Sequence, residues 1–368
     1  WETIVKIYRN GLVKKKFEAL QEYANHFIKF LDNSNTLFPD SVQEEYLLNS
    51  IYAYFQLIKA TIEGKVHSSI DQRGKIEHKA INQIVADIIG EHYKKWEKAD
   101  TIPSIPKSYS KNIADKYGKL IDQQIKEIFE ELPMSRRHSN QLKKIASSLF
   151  SKFPEDIEKQ DISGVVIAGF GEKDTFPSLE SFNIEGVANN RLKYKKLVSR
   201  EINFKTTASI VPFAQKEMVA TFMEGVDPYL QRHMESYLSE VFDKYPEIIV
   251  EHMEKLDDNE KRLLQEKLKE TSNKIFKDYK KGVQTHGRKH YVDPVLAVVS
   301  MLPKDELAAM AESLVNLTSF KRKVTMGSET VGGPIDVAVI SKGDGFIWIK
   351  RKHYFKAELN PHFFANYY

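Results

Sequence analysis

The chain has 368 residues, a length that accommodates two or three domain-sized units or one core with large insertions. Hydrophobic residues make up 41%, enough for a sizeable core, while 55 Lys and Arg against 51 Asp and Glu leave a net charge of +4. That charge alone directs the chain to neither nucleic acid nor membrane. Cysteine is absent, which excludes disulfides, thiolate zinc sites and a cysteine nucleophile. No apolar run approaches the roughly 20 residues of a membrane span. The opening, WETIVKIYRNGLVKKKFEAL, is broken by charges throughout and does not read as a signal peptide. It begins with Trp1 rather than Met, as expected of a trimmed or partial chain, and the expected compartment is the cytoplasm.

The first third predicts helices. Leu20, Tyr23, Ala24, Phe27, Ile28 and Leu31 keep the spacing of one buried helical face, and DNSNTLFPD then breaks it. SVQEEYLLNSIYAYFQLIKATIEG and KIEHKAINQIVADIIGEHYKKWEKA predict two further helices. DTIPSIPKSYS, with two prolines and three serines, predicts a linker before two more helices over 111–132 and 140–153. Strand character enters with ISGVVIAGFG and SLESFNIEGV, the second ending at a Glu-Gly turn, and LKYKKLVSREINFKTTASIV has room for one or two strands. Helices resume over 213–245, over the charged stretch 259–281, and from about 305, where Leu307, Met310, Ala311, Leu314 and Val315 share a stripe.

The strongest local pattern is ETVGGPIDVAVISKGDGFIWIK. Ile335, Val337 and Val339 alternate with Asp336, Ala338 and Ile340, Lys342-Gly343-Asp344-Gly345 supplies a turn, and Phe346 to Ile349 return. Both faces are apolar apart from Asp336, so the hairpin is expected inside a layered structure with a sheet on one side and helices on the other.

The order of elements, with VVIAGFGEKDTFPSLESFNIEG and VGGPIDVAVISKGDG as the carrying blocks, resembles the proteasome β-type proteins of the N-terminal-nucleophile hydrolase class. The resemblance covers about 200 residues and implies an αββα four-layer sandwich. Its first core helix would lie in 1–32, core strands and helix in 161–245, and a core helix with the terminal hairpin in 293–368. Residues 33–160 and 246–292 would be helical insertions. Gly169, Gly171, Gly332, Gly333, Asp336, Gly343 and Gly345 would define the fold. In such proteins a terminal hydroxyl is the nucleophile, its own amine is the base, and a lysine holds that amine's pKa down. Trp1 has no hydroxyl, and the strands that hold this machinery would precede it. The family's supporting aspartate and serine fall at Ser328, beside Glu329, and at Val331. Its Gly-Ser-Gly is replaced by Val211-Pro212-Phe213. Ser328 and Glu329 are therefore the weak candidates for a supporting role, and peptide or amide hydrolysis is implied only as ancestry.

The eleven histidines are scattered, and none pairs in the HExxH manner of a zinc helix. His286, His290 and Asp293 are expected in a connecting loop, GFGEKDT carries no nucleotide motif, and neither metal nor cofactor is expected. RLKYKKLVSR reads as an edge strand with Lys193 and Lys195 outward and Leu192 and Tyr194 inward, or as a phosphate-tracking strip. The expected role is a homo-oligomeric proteasome β-like subunit. The alternatives are a scaffold that recruits a protein through residues 33–160 and, more weakly, nucleic-acid binding.

Overall fold

A computed structural model describes residues 1–12, 15–32, 36–154, 162–213, 216–324, 335–353 and 355–367. The fold is α+β, and the chain divides into two compact units: Trp1–Asp174 with Ser178–Arg200, and Thr175–Pro177 with Glu201–Tyr368. The division groups the helical block 33–154 with the strands up to Arg200 and places the terminal hairpin in the other unit.

The first unit contains α1 (Glu2–Leu12), α2 (Leu20–Asp32), α3 (Asp40–Arg73), α4 (His78–Lys98), α5 (Tyr109–Ile128) and α6 (Arg136–Ser148). Its strands β1 (Ser163–Gly169), β2 (Ser178–Ala188) and β3 (Arg191–Glu201) form a sheet in the order β1-β2-β3. The stripe read on α2 is buried except for the half-buried Tyr23. On α3, Leu47, Ile51, Phe55, Ile58 and Ile62 recur every three or four residues and are fully enclosed. Ile113, Tyr117, Ile121 and Ile125 of α5 and Leu142 and Ile145 of α6 complete that core. Each such side chain contributes about 1.5–3 kcal/mol by leaving water. A second cluster joins Ala24, Phe27, Ile28 and Leu31 of α2 to Phe182, Ile184, Val187 and Leu192 of the sheet.

Three local readings change. DTIPSIPKSYS is no free linker, since Ile102 and Ile105 are buried and Thr101 bridges Lys152. Its prolines shape a packed loop. The β2–β3 turn falls at Asn189-Asn190, whose φ angles of 43° and 58° suit asparagine, rather than at Glu185-Gly186. Gly186 lies within β2 because a Cβ there would sit 2.5 Å from the Tyr46 ring. Phe182, Ile184 and Val187 all enter one cluster, so the alternation of β2 slips by one residue across Glu185-Gly186. After β3, the rest of 192–211 adds no further strand.

The start of α2 is fixed from a distance. The Asp174 carboxylate accepts the N–H of Leu20 at 2.9 Å and of Gly171 at 2.7 Å. Glu172 and Lys173 donate their N–H groups to the carbonyls of Phe17 and Glu18. This close approach demands Gly171, where a Cβ would lie 2.3 Å from the backbone of Ala19. Gly169 ends β1 with a φ of 143°.

The second unit contains α7 (Glu217–Glu224), α8 (Pro228–Glu251), α9 (Asp258–Gly287), α10 (Asp293–Val299), α11 (Lys304–Val324), the hairpin β4 (Val337–Ser341) and β5 (Gly345–Lys350), and α12 (Pro361–Tyr367). Asp227 caps α8, accepting the N–H of Tyr229 and Leu230, and Asp257 with Glu260 forms a capping box on α9. The segment expected as a loop around His286, His290 and Asp293 is helical. A π-turn over Arg288–Val292 joins α9 to α10, with Asp293 N–H reaching the Arg288 carbonyl. Pro294 lacks an N–H and crowds the preceding turn, and a widened turn accommodates both without ending the helix.

Candidate functional site

The β4–β5 hairpin carries the sequence pattern that promised most, and its construction is explicit. Ser341 pairs with Gly345, Ile340 with Phe346, Val339 with Ile347 and Ala338 with Trp348, before a shift sets Val337 opposite Lys350. The turn is tied by the Ser341 hydroxyl, which donates to Asp344 at 2.7 Å and accepts the Asp344 N–H at 3.0 Å. Lys304 of α11 forms an ion pair with Asp344, and this contact, then the Ser341 hydroxyl, holds that carboxyl below its usual range. Gly345 adopts a φ of 71°, whereas Gly343 stands in open space. Asp336, the polar exception in the strand pattern, accepts the N–H of Lys352 at 2.7 Å and closes the open end. Lys350 pairs with Glu312 of α11.

The expected burial of both hairpin faces is not observed. Val337 is buried, but Phe346 and Ile349 are each 54% exposed and Ile347 and Trp348 each 42%. α11 packs on β4, and among the described residues of this unit no further strand pairs with the two-stranded sheet. Phe346 and Trp348 lie edge to face at 4.9 Å, and Arg351 covers Trp348 at 5.3 Å. The predicted stripe of α11 is likewise half covered: Leu307, Met310, Leu314 and Val315 line a groove of about 500 Å3 whose other wall is Ile210 to Phe213. Val211-Pro212-Phe213 thus serves an apolar wall. Ser328, Glu329, Gly332 and Gly333 lie outside the described residues.

In the first unit, β3 overturns one expectation outright. Lys193 points inward and is buried, its ammonium 2.8 Å from the Glu185 carboxylate, 4.3 Å from the centre of the Phe153 ring and bonded to the Leu149 carbonyl. The face assigned to solvent is covered by the helical block, and a carboxylate there balances the charge. Tyr46 donates to Glu185 at 3.3 Å, and burial, then the Glu185 charge, pushes its phenol far up. Beside it, Trp96 donates to the Tyr54 oxygen at 2.7 Å and Tyr54 meets His92 Nδ1 at 2.8 Å. Burial raises Tyr54 to about 12, while burial and then Lys95 lower His92. Lys193, Trp96 and Tyr54 are buried, Tyr46 and His92 partly so, and together with Glu185 they tie α3, α4, β2 and β3 together. The signal for them was a lysine next to Tyr194 in β3 and a glutamate, Glu185, near the end of β2.

Among the described residues no cluster of three or more His, Asp or Glu could hold a metal, and no helix is long and apolar enough to cross a membrane. His286 and His290 lie with ring centres 4.4 Å apart, while Asp293 pairs with Arg288 at 3.2 Å. No protein family, curated protein sequence or solved structure matches this chain.

Proposed function

We propose that this chain is a subunit of a homo-oligomeric, proteasome β-like assembly of the αββα kind, in which sheet surface from a second copy covers the β4–β5 hairpin. One observation supports this reading above the others. A strand whose two faces are Phe346 and Trp348 on one side and Ile347 and Ile349 on the other has the pattern of an interior strand, and all four are in water. Such a hairpin gains by stacking against another sheet, and a closed symmetric assembly offers an identical one.

The helical block is the weaker candidate for recruiting a partner. Its apolar stripes face its own core, and its exposed large hydrophobic residues, Val42, Tyr52 and Leu57, are spread along α3. Hydrolysis remains a matter of kinship with the N-terminal-nucleophile class, and no described side chain is assigned a catalytic role.

Native mass spectrometry and light scattering across a concentration series test the assembly. The expected result is a discrete oligomer that Trp348→Ser with Ile349→Asn converts to monomer while the helical signal persists. A wild-type chain that stays monomeric at high concentration overturns the reading.

A further inference from the structure

The basic strip RLKYKKLVSR has a second use that the oligomer does not absorb. Tyr194, Lys195 and Lys196 form one wall of a cleft of about 910 Å3 in the first unit, with the C-terminal end of α4, the 99–104 segment and Phe153 forming the rest. That volume lies within the range of small-molecule sites. Five lysines line it against two carboxylates, Glu91 and Asp100. Lys95 is paired with Glu91 at 3.1 Å and Lys196 with the buried Glu180. Lys94, Lys98 and Lys195 are exposed, and among the described residues no carboxylate lies within ion-pair distance of them.

The end of a helix normally brings partial negative charge to such a wall. Here it is cancelled, since the Lys152 ammonium takes the Trp96 carbonyl at 2.8 Å and the Glu97 carbonyl at 3.1 Å. The described lining of the cleft therefore carries an excess of positive charge beside an apolar, aromatic floor of Ile102, Pro103, Phe153 and Tyr194. Charge alone would suit any anion, but the flat rings add a surface for a planar group.

We propose that this cleft binds a nucleotide, with its base against the Tyr194 and Phe153 side and its phosphates among Lys94, Lys98 and Lys195. The same chemistry could reach the cleft as a free mononucleotide or as one unit of a single strand.

The test uses the full chain and fluorescence anisotropy at about 50 mM salt, where phosphate contacts are strong. One probe is ATP labelled on its ribose, the other a fluorescein-labelled eight-nucleotide oligothymidylate. Either probe should bind, and Lys94→Gln/Lys98→Gln/Lys195→Gln should weaken it by at least about tenfold, the loss expected from several phosphate contacts. A control with the same charge change, Lys267→Gln/Lys274→Gln/Lys277→Gln on the exposed face of α9, should leave binding within about twofold. Binding of ATP identifies a free nucleotide as the source, and binding of the oligonucleotide alone identifies a strand. Three results overturn the proposal: neither probe binds, both triple variants weaken binding equally, or a polyglutamate peptide displaces the probe as well as unlabelled ATP. Circular dichroism of the variants checks that they remain folded, and none of these outcomes depends on the oligomeric state.

Discussion

The two units solve the burial problem differently. In the first, stripes on α2, α3, α4, α5 and α6 meet each other and the sheet, and residues such as Ile51, Phe55, Val85, Ile89 and Leu142 are wholly enclosed. In the second, the buried hydrophobic residues among those described are Val219, Val250, Val299, Ala308 and Val337, all small, while Tyr237, Leu263, Met301, Phe320 and Phe346 stand largely in water. The two have similar raw material and different closure. An amphipathic element becomes stable when its apolar face finds a cover, and among the described residues the first unit covers its large apolar side chains far more completely than the second.

The contrast is most exposed to attack at the enclosed ion pair. Glu185→Leu leaves the Lys193 ammonium buried without its carboxylate, and urea unfolding should show a loss of about 3–5 kcal/mol. Adding Lys193→Met should recover most of that loss, because an apolar pair of similar volume needs no charge balance. A double variant as unstable as the single one would show that the cluster matters through packing alone.

Matched truncations sharpen the comparison next. Phe55→Ala in the first unit should cost about 3–5 kcal/mol, the range for an enclosed aromatic. Phe242 packs against Phe276 at 5.8 Å in the α8–α9 seam but is only half-buried, so Phe242→Ala should cost roughly 1–2 kcal/mol. Equal losses would mean that the second unit is as well closed as the first.

The smallest effect is a pH slope confined to the first unit. His92 is held neutral by burial and by Lys95, so the folded chain refuses a proton that the unfolded chain accepts near pH 6.5. Its contribution is complete above that pH and is lost as pH falls, with a slope of up to about 1.4 kcal/mol per pH unit. Urea midpoints measured from pH 7.5 downward should fall less steeply in His92→Gln than in the parent chain.

Helices were legible in this sequence because a period near 3.6 survives whatever the helix packs on, as α3 and α5 illustrate. Tertiary cover was not. The alternation of Val337 to Ile349 correctly announced a hairpin, yet the same pattern serves a covered strand and one awaiting cover. Lys193 reads as a surface lysine until Glu185, eight residues earlier, is folded against it. Glu185-Gly186 reads as a turn because glycine bends freely, whereas the glycine there makes room for Tyr46 and the turn is Asn189-Asn190. The loop expected around His286, His290 and Asp293 is a helical π-turn instead.

The Asp174 carboxylate that receives the Leu20 N–H lies 154 residues downstream of it. During synthesis at about 5–20 residues per second, α2 therefore leaves the ribosome roughly 10–30 seconds before the group that fixes its first turn exists. Over that interval its stripe of Phe27, Ile28 and Leu31 also lacks the strand residues that will cover it, so this early helix becomes permanent only once the sheet of its own unit has been made.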